Sequence, residues 1–210
     1  MIRHSRIIRT SAARITRAAN RTIDDLSDRL VEQEPDLTGR LLGRIAHAMD
    51  GFQTKGVKWT SKVLTAHGPG AQEKEYGADF LGVLEINLPH YAVRKGFLAQ
   101  AKLVEPLEGF SSGEFTRMKE QCERMLELSP DSFVFHYSSN GIRVIPATAV
   151  VGSIEPNAPF DPRGVYSRSV ATFYEDHFAS FIGDPRISEP TIETLERLRT
   201  HRLLYLLARQ

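Results

Sequence analysis

Along the first third of the chain, apolar residues recur at three- and four-residue steps. Between residues 5 and 32, Ile7, Ile8, Ala12, Ile15, Ala18, Ala19, Ile23, Leu26 and Leu30 keep that spacing with few helix breakers, which predicts an amphipathic helix. Pro35 interrupts it. A second helix is predicted from about Leu37 to Phe52, with Leu37, Leu41, Leu42, Ile45 and Met49 on one face and Asp36 or Thr38 near the cap. Residues 53 to 72 hold turn formers and little period, so a loop is predicted there, with room for a short strand around Val57 to Leu64.

The period then changes. Lys74 to Tyr76, Ala78 to Asn87 and Gly96 to Val104 read as strands, with a turn around Pro89 and His90 between the second and third. Glu114 to Leu128 returns to helical spacing, gathering Phe115, Met118, Cys122, Met125 and Leu126, and Ser111 or Ser112 can cap it. Ser132 to Tyr137 and Ile142 to Val151 are predicted strands, joined by a hairpin signal with Asn140-Gly141 at its tip. Pro146 inside the second of them favours an edge position or a bulge. After a Pro-rich link at 155 to 163, residues 166 to 182 and 190 to 208 read as helices. The order α-α-β-β-β-α-β-β-α-α predicts a mixed α/β sheet flanked by helices. The expected layout is an N-terminal helix over 1–33, a core over 34–152 and a C-terminal helical extension over 153–210 packing on that core.

A length of 210 residues allows one sizeable core and is short for two ordinary domains. The net charge of +1 neither demands nor excludes a polyanionic partner, so the local distribution of charge matters more. Residues 1 to 21 carry Arg3, Arg6, Arg9, Arg14, Arg17 and Arg21 and no acid, and Asp24, Asp25, Asp28, Glu32, Glu34 and Asp36 follow. The basic stretch reads either as a phosphate-binding arm or as a solvated or dimer-forming helix face. Cys122 is the sole cysteine, so neither an intramolecular disulfide nor a cysteine zinc cage can form, which suits a reducing cytoplasm. No apolar run approaches the roughly 20 residues that cross a bilayer, so no membrane partner is expected. An Arg-rich, acid-poor start also occurs in organelle transit peptides, but nothing else here points to an organelle.

Chemistry concentrates on the predicted meander. Asp79 opens one strand, while Gln100 and Lys102 lie two residues apart on the next and share a face of it. That places a polar pair inside an apolar strand. If the face is buried, amide and ammonium each need a partner or a bound ion to offset desolvation. The plainer reading is a turn-capping aspartate and a solvated sheet face. Glu73, Glu75 and Glu85 are rival acids that also read as solvated strand charges, and Gln121 on the following helix is a further auxiliary candidate. No histidine has zinc-ligand spacing, and the chain contains no P-loop, dinucleotide turn or nucleophile elbow.

Gly77-Ala78-Asp79-Phe80, followed some twenty residues later by Gln100-Ala101-Lys102, resembles the PD-(D/E)XK nuclease signature in the Q-X-K form of Mrr-like restriction endonucleases. The resemblance covers roughly residues 34 to 150. It implies a restriction-endonuclease-like αβββαββ core in which Asp79 and Gln100 hold Mg²⁺ or Mn²⁺ and Lys102 activates water or steadies phosphoryl charge. Glu34, in the Glu-Pro-Asp-Leu-Thr run, would complete the shell from the preceding helix. The departure is Gln100, whose amide brings one charge fewer than glutamate and so implies weaker metal binding. The implied activity is metal-dependent endonuclease cleavage of DNA, with RNA also open, in restriction or anti-phage defence. Specificity would come from homo-oligomerisation or a partner protein. A catalytically inactive nuclease-fold module that binds nucleic acid or a protein is the alternative.

Overall fold

The computed structural model describes residues 2–66, 78–105, 108–153 and 164–210, with the side chains of residues 2 and 3 left aside. The predicted strand at Lys74 to Tyr76, the candidates Glu73 and Glu75, and the side chain of Arg3 lie outside what is described.

The two N-terminal helices form as their periodicity requires. Helix α1 (Ile2–Ser27) turns Ala12, Ile15 and Ala19 fully inward, so it is a core element and not a free arm. Helix α2 (Glu34–Met49) starts with Pro35 in its first turn, where a missing N–H costs nothing, and Glu34 and Asp36 there complement the helix dipole. The helices run antiparallel. Arg14 Nε donates to the Ala48 carbonyl, and Arg40 and Arg44 both pair with Asp25, at 2.9 and 2.6 Å.

Beyond them lie β1 (Gln53–Thr54), β2 (Val57–Thr65), β3 (Ala78–Leu88) and β4 (Tyr91–Leu103). Strand β2 coincides with the short strand allowed around Val57 to Leu64 and runs one residue further, and β4 begins at Tyr91, directly after the Pro89-His90 turn. Helix α3 (Ser112–Leu128) carries a full capping box, with the Ser111 and Glu114 side chains each satisfying the other's backbone. Strand β5 (Ser132–Ser138) is buried along its whole length. The expected strand to Val151 is cut short: β6 (Gly141–Pro146) ends at its proline, and Ala147–Val151 turns into a short helix, α4. A proline has no N–H to continue the ladder, and here its extended backbone caps that helix. Farther on, β7 (Arg168–Ser169) leads into α5 (Val170–Phe178), which Ser169 caps, so the helix predicted over 166 to 182 is shorter than expected.

The helix predicted over 190 to 208 is corrected more deeply. Only Ile192–Arg197 (α6) is helical, and Thr200–Arg209 forms a strand, β8. Among the described residues the sheet has eight strands in the order β1-β2-β8-β3-β4-β5-β6-β7, with β8 parallel to β3 and antiparallel to β2. The β4–β5 pair is also parallel, joined through α3. The result is a mixed sheet with helices on both faces. One face packs α1, α2 and α5 through Ile15, Leu41, Phe80, Phe97 and Phe173, and the other packs α3, α4 and α6 through Leu81, Leu98, Met118, Val134 and Leu203.

Candidate functional site

Four of the side chains singled out in the sequence meet where β3 begins, β4 ends and α2 begins. The antiparallel register pairs Phe80 with Ala99, which brings Asp79 beside Gln100. Gln100 Nε2 donates to Asp79 Oδ2 at 2.5 Å, and the Ala101 N–H donates to the same oxygen at 2.7 Å. Glu34 enters from the first turn of α2. Its Oε2 accepts from the Leu103 N–H at 2.9 Å, and its Oε1 lies 3.9 Å from Lys102 Nζ. Pro35 fixes that position by starting the helix where β4 finishes.

Burial dominates the electrostatics. It pushes the Asp79 carboxyl above its ordinary pKa, against the hydrogen bond from Ala101 and the charges of Lys102, His201 and Arg202. The Glu34 carboxyl is likewise raised by burial, and by Asp79, with Lys102 and the Leu103 N–H opposing. Gln100 is 3% exposed, and its Oε1 has no hydrogen-bond partner among the described residues. A buried carbonyl oxygen without a partner costs roughly 1–3 kcal/mol. Here it sits on the same amide that holds Asp79.

Beside these groups opens a cavity of about 360 Å³ lined by Glu34, Thr38, Thr65, Asp79, His201 and Arg202, together with Pro35 and Ala66. Gln100 and Lys102 adjoin Asp79 and Glu34 and are not part of the lining. His201 and Arg202 were missed in the sequence because their segment reads as helix. The β8 register sets Arg202 between Phe80 and Thr65, so the inserted strand delivers both groups to the cavity.

The remaining candidates separate from this centre. Glu85 accepts a 2.8 Å hydrogen bond from the Tyr205 hydroxyl on the far half of β3, a structural role. Gln121 is half-buried, with its Oε1 enclosed and unpartnered among the described residues, so it faces inward from α3 and not to solvent. Arg6 lines a separate cavity with His4 and Lys55, Arg9 is exposed, and Arg14, Arg17 and Arg21 face α2. The five arginines whose side chains are described therefore do not share one surface. No group of three or more His, Cys, Asp or Glu able to hold a metal occurs among the described residues, and no described helix is long and apolar enough to cross a membrane.

No protein-family profile, curated protein or solved structure matches the chain.

The residues do fit a hard divalent cation by the chemistry of their donors. Two carboxylates with raised pKa and one unpartnered amide oxygen form an all-oxygen set, and a cation beside them would favour the ionised forms that burial opposes.

Proposed function

We propose that this chain is a metal-dependent endonuclease of the PD-(D/E)XK, restriction-endonuclease-like kind, acting on DNA, with a role in restriction or defence against foreign DNA. One observation carries the reading. The Asp79–Gln100 hydrogen bond and the Glu34–Lys102 contact gather the whole constellation at one end of the sheet, beside an open cavity. The element order α2, β1, β2, β3, β4, α3, β5, β6 supports a mixed α/β core of this kind, with β8 lying between β2 and β3.

Asp79, Gln100 through Oε1, and Glu34 would hold Mg²⁺ or Mn²⁺. The cation would supply a hydroxide near neutral pH and neutralise phosphoryl charge. The chain's own residues do the rest. Asp79 positions the amide, Glu34 holds the Lys102 ammonium within reach of the acidic wall, and Lys102 donates to a phosphoryl oxygen or to the attacking water. Arg202 and His201, which line the same cavity from the strand beside Asp79, bind the phosphodiester and bring it against the carboxylates.

A second reading, a nuclease-fold module that binds without cleaving, is favoured by one feature. The Asp79 oxygen nearest Gln100 already accepts two hydrogen bonds, and the neighbouring ligand is an amide. Incubating the protein with plasmid, linear and single-stranded DNA and with RNA, with and without Mg²⁺ or Mn²⁺, separates the two. Cleavage that requires the metal and is lost in folded Asp79→Ala and Lys102→Ala variants supports the enzyme. Calorimetric titration showing no metal binding and no cleavage would leave the binding module.

A further inference from the structure

Away from the acidic centre, the α1–α2 seam holds a cavity of about 530 Å³ lined by Arg14, Arg17, Arg21, Arg44 and His47 over a floor of Ala18, Gly43 and Ala48, with no acid in the lining. We propose that this groove binds the phosphate backbone of a DNA duplex, holding the nucleic acid while its scissile bond lies in the cavity at Glu34 and Asp79. The inference rests on the nucleic-acid reading above and adds a second, non-catalytic contact to it.

The spacing produces the groove. Arg14, Arg17 and Arg21 are separated by three and four residues, so they project from one face of α1, and Arg44 and His47 do the same from α2. Their roles differ. Arg14 is committed to the fold, bonded to the Ala48 carbonyl and stacked 4.6 Å over the Phe52 ring, and Arg44 shares Asp25 with Arg40. Arg17 and Arg21 are exposed and form no ion pair among those described. From Arg14 to Arg21 the helix rises about 10 Å, a length over which one strand of a duplex carries about three phosphates.

Gly43 leaves the floor of the groove open. It lies exposed inside α2, where glycine costs stability relative to alanine, and a Cβ there would meet nothing within 4 Å. Packing within the chain therefore gives no reason for it. On the proposed reading, the absent side chain lets a phosphate strand come close to the helix there. The groove also lies along the helix that supplies Glu34, and Arg44 is about 15 Å of helix axis from Glu34, well within the span of one duplex.

The test uses the full chain with a chelator present, so cleavage plays no part, and follows the anisotropy of a fluorescent duplex across a salt series. Replacing Arg17 and Arg21 together by Gln should make the slope of log affinity against log salt shallower by about 1.8, at about 0.9 for each phosphate no longer neutralised. Arg94→Gln, a cation paired with Glu189 toward the other end of β4, should leave the slope unchanged. Gly43→Leu should raise the melting temperature yet weaken duplex binding, a combination that a purely structural glycine would not give. An unchanged slope in the double variant, undiminished binding by Gly43→Leu, or wild-type protein that binds no duplex overturns the groove. The nuclease reading fails separately: a wild type that binds through the groove but never cleaves with Mg²⁺ loses only the enzyme, and cleavage with an unchanged slope loses only the groove.

Discussion

Gln100→Glu puts the greatest demand on the proposed centre, because it adds the carboxylate that the resemblance would ordinarily place there. In the wild type a neutral amide, 3% exposed, donates to Asp79 Oδ2 at 2.5 Å. The substitution removes that donor and sets two carboxyl groups at hydrogen-bond distance. A hydrogen bond to a charged group contributes about 1.5–3 kcal/mol, so the metal-free variant should lose about 2 kcal/mol at neutral pH. For a chain of this size that lowers the melting temperature by about 4–8 °C. Direct repulsion between two full charges at about 4 Å would reach about 4 kcal/mol at an effective dielectric of 20, so the pair relieves it by keeping a proton. The sign with pH follows. A carboxyl whose folded pKa is raised gives full stability in acid and loses it as pH rises through that raised value, so the variant should match the wild type near pH 4 and fall behind above it. Mg²⁺ should close the gap and bind more tightly than to the wild type, with cleavage kept or increased. Calorimetric metal titration alongside thermal melts across pH checks each part. A folded variant that binds Mg²⁺ no more tightly than the wild type, or whose deficit is the same at every pH, would refute the assignment of Gln100 to the metal and to Asp79.

Glu34→Gln should raise the Mg²⁺ concentration needed for half-maximal cleavage, and an unchanged requirement would remove Glu34 from the metal shell. Lys95 is buried on β4, its Nζ without a partner among the described residues, and burial pulls its pKa down to about 8. A base with a lowered folded pKa destabilises the fold wherever it is charged, so Lys95→Met should raise the melting temperature at pH 7. That gain should shrink as pH rises from 8 through the ordinary lysine range, and a gain independent of pH would contradict the cause given. Gly96→Ala would place a Cβ 2.3 Å from the Ile187 carbonyl oxygen, where backbone must move, and should cost about 1–3 kcal/mol in chemical denaturation. A neutral result would mean that the Gly96–Asp184 bridge yields more easily than its geometry implies.

Elements with an uncovered face were legible in the chain. The stripes of α1, α2 and α3 set their boundaries within a few residues, and the Asn140-Gly141 signal marked the β5–β6 hairpin, whose Gly141 has φ near +120°. Strand β8 was not legible. A strand in the middle of a sheet with helices on both faces is apolar on both sides, so it loses the alternation that distinguishes strands. Its Leu203-Leu204 and Leu206-Leu207 pairs fall at spacings that also suit a helix. The same ambiguity hid His201 and Arg202. Asp79, Gln100 and Lys102 were readable because each is polar on an otherwise apolar strand, the contrast that sequence displays best, whereas Glu34, in a run with Glu32 and Asp36, came only from the resemblance. What sequence did not show is that Gln100 and Lys102 are absent from the cavity lining while two β8 residues form part of it.

The position of β8 also bears on the order in which the protein can be made. Residues 78–103 leave the ribosome about a hundred residues before the strand that will lie beside them, yet Leu84 pairs with Leu206 and Val63 with Leu204. Until residues 200–209 emerge, β2 has, among the described residues, β1 alone beside it, and one long edge of β3 lacks its described partner, a template for other strands. The nascent chain therefore holds its sheet in two halves. Asp79 and Glu34 can meet before then, but Arg202, which lines the cavity with them, arrives only with the closing strand. The strand that makes the sheet continuous thus also brings His201 and Arg202 to the cavity beside Asp79 and Glu34.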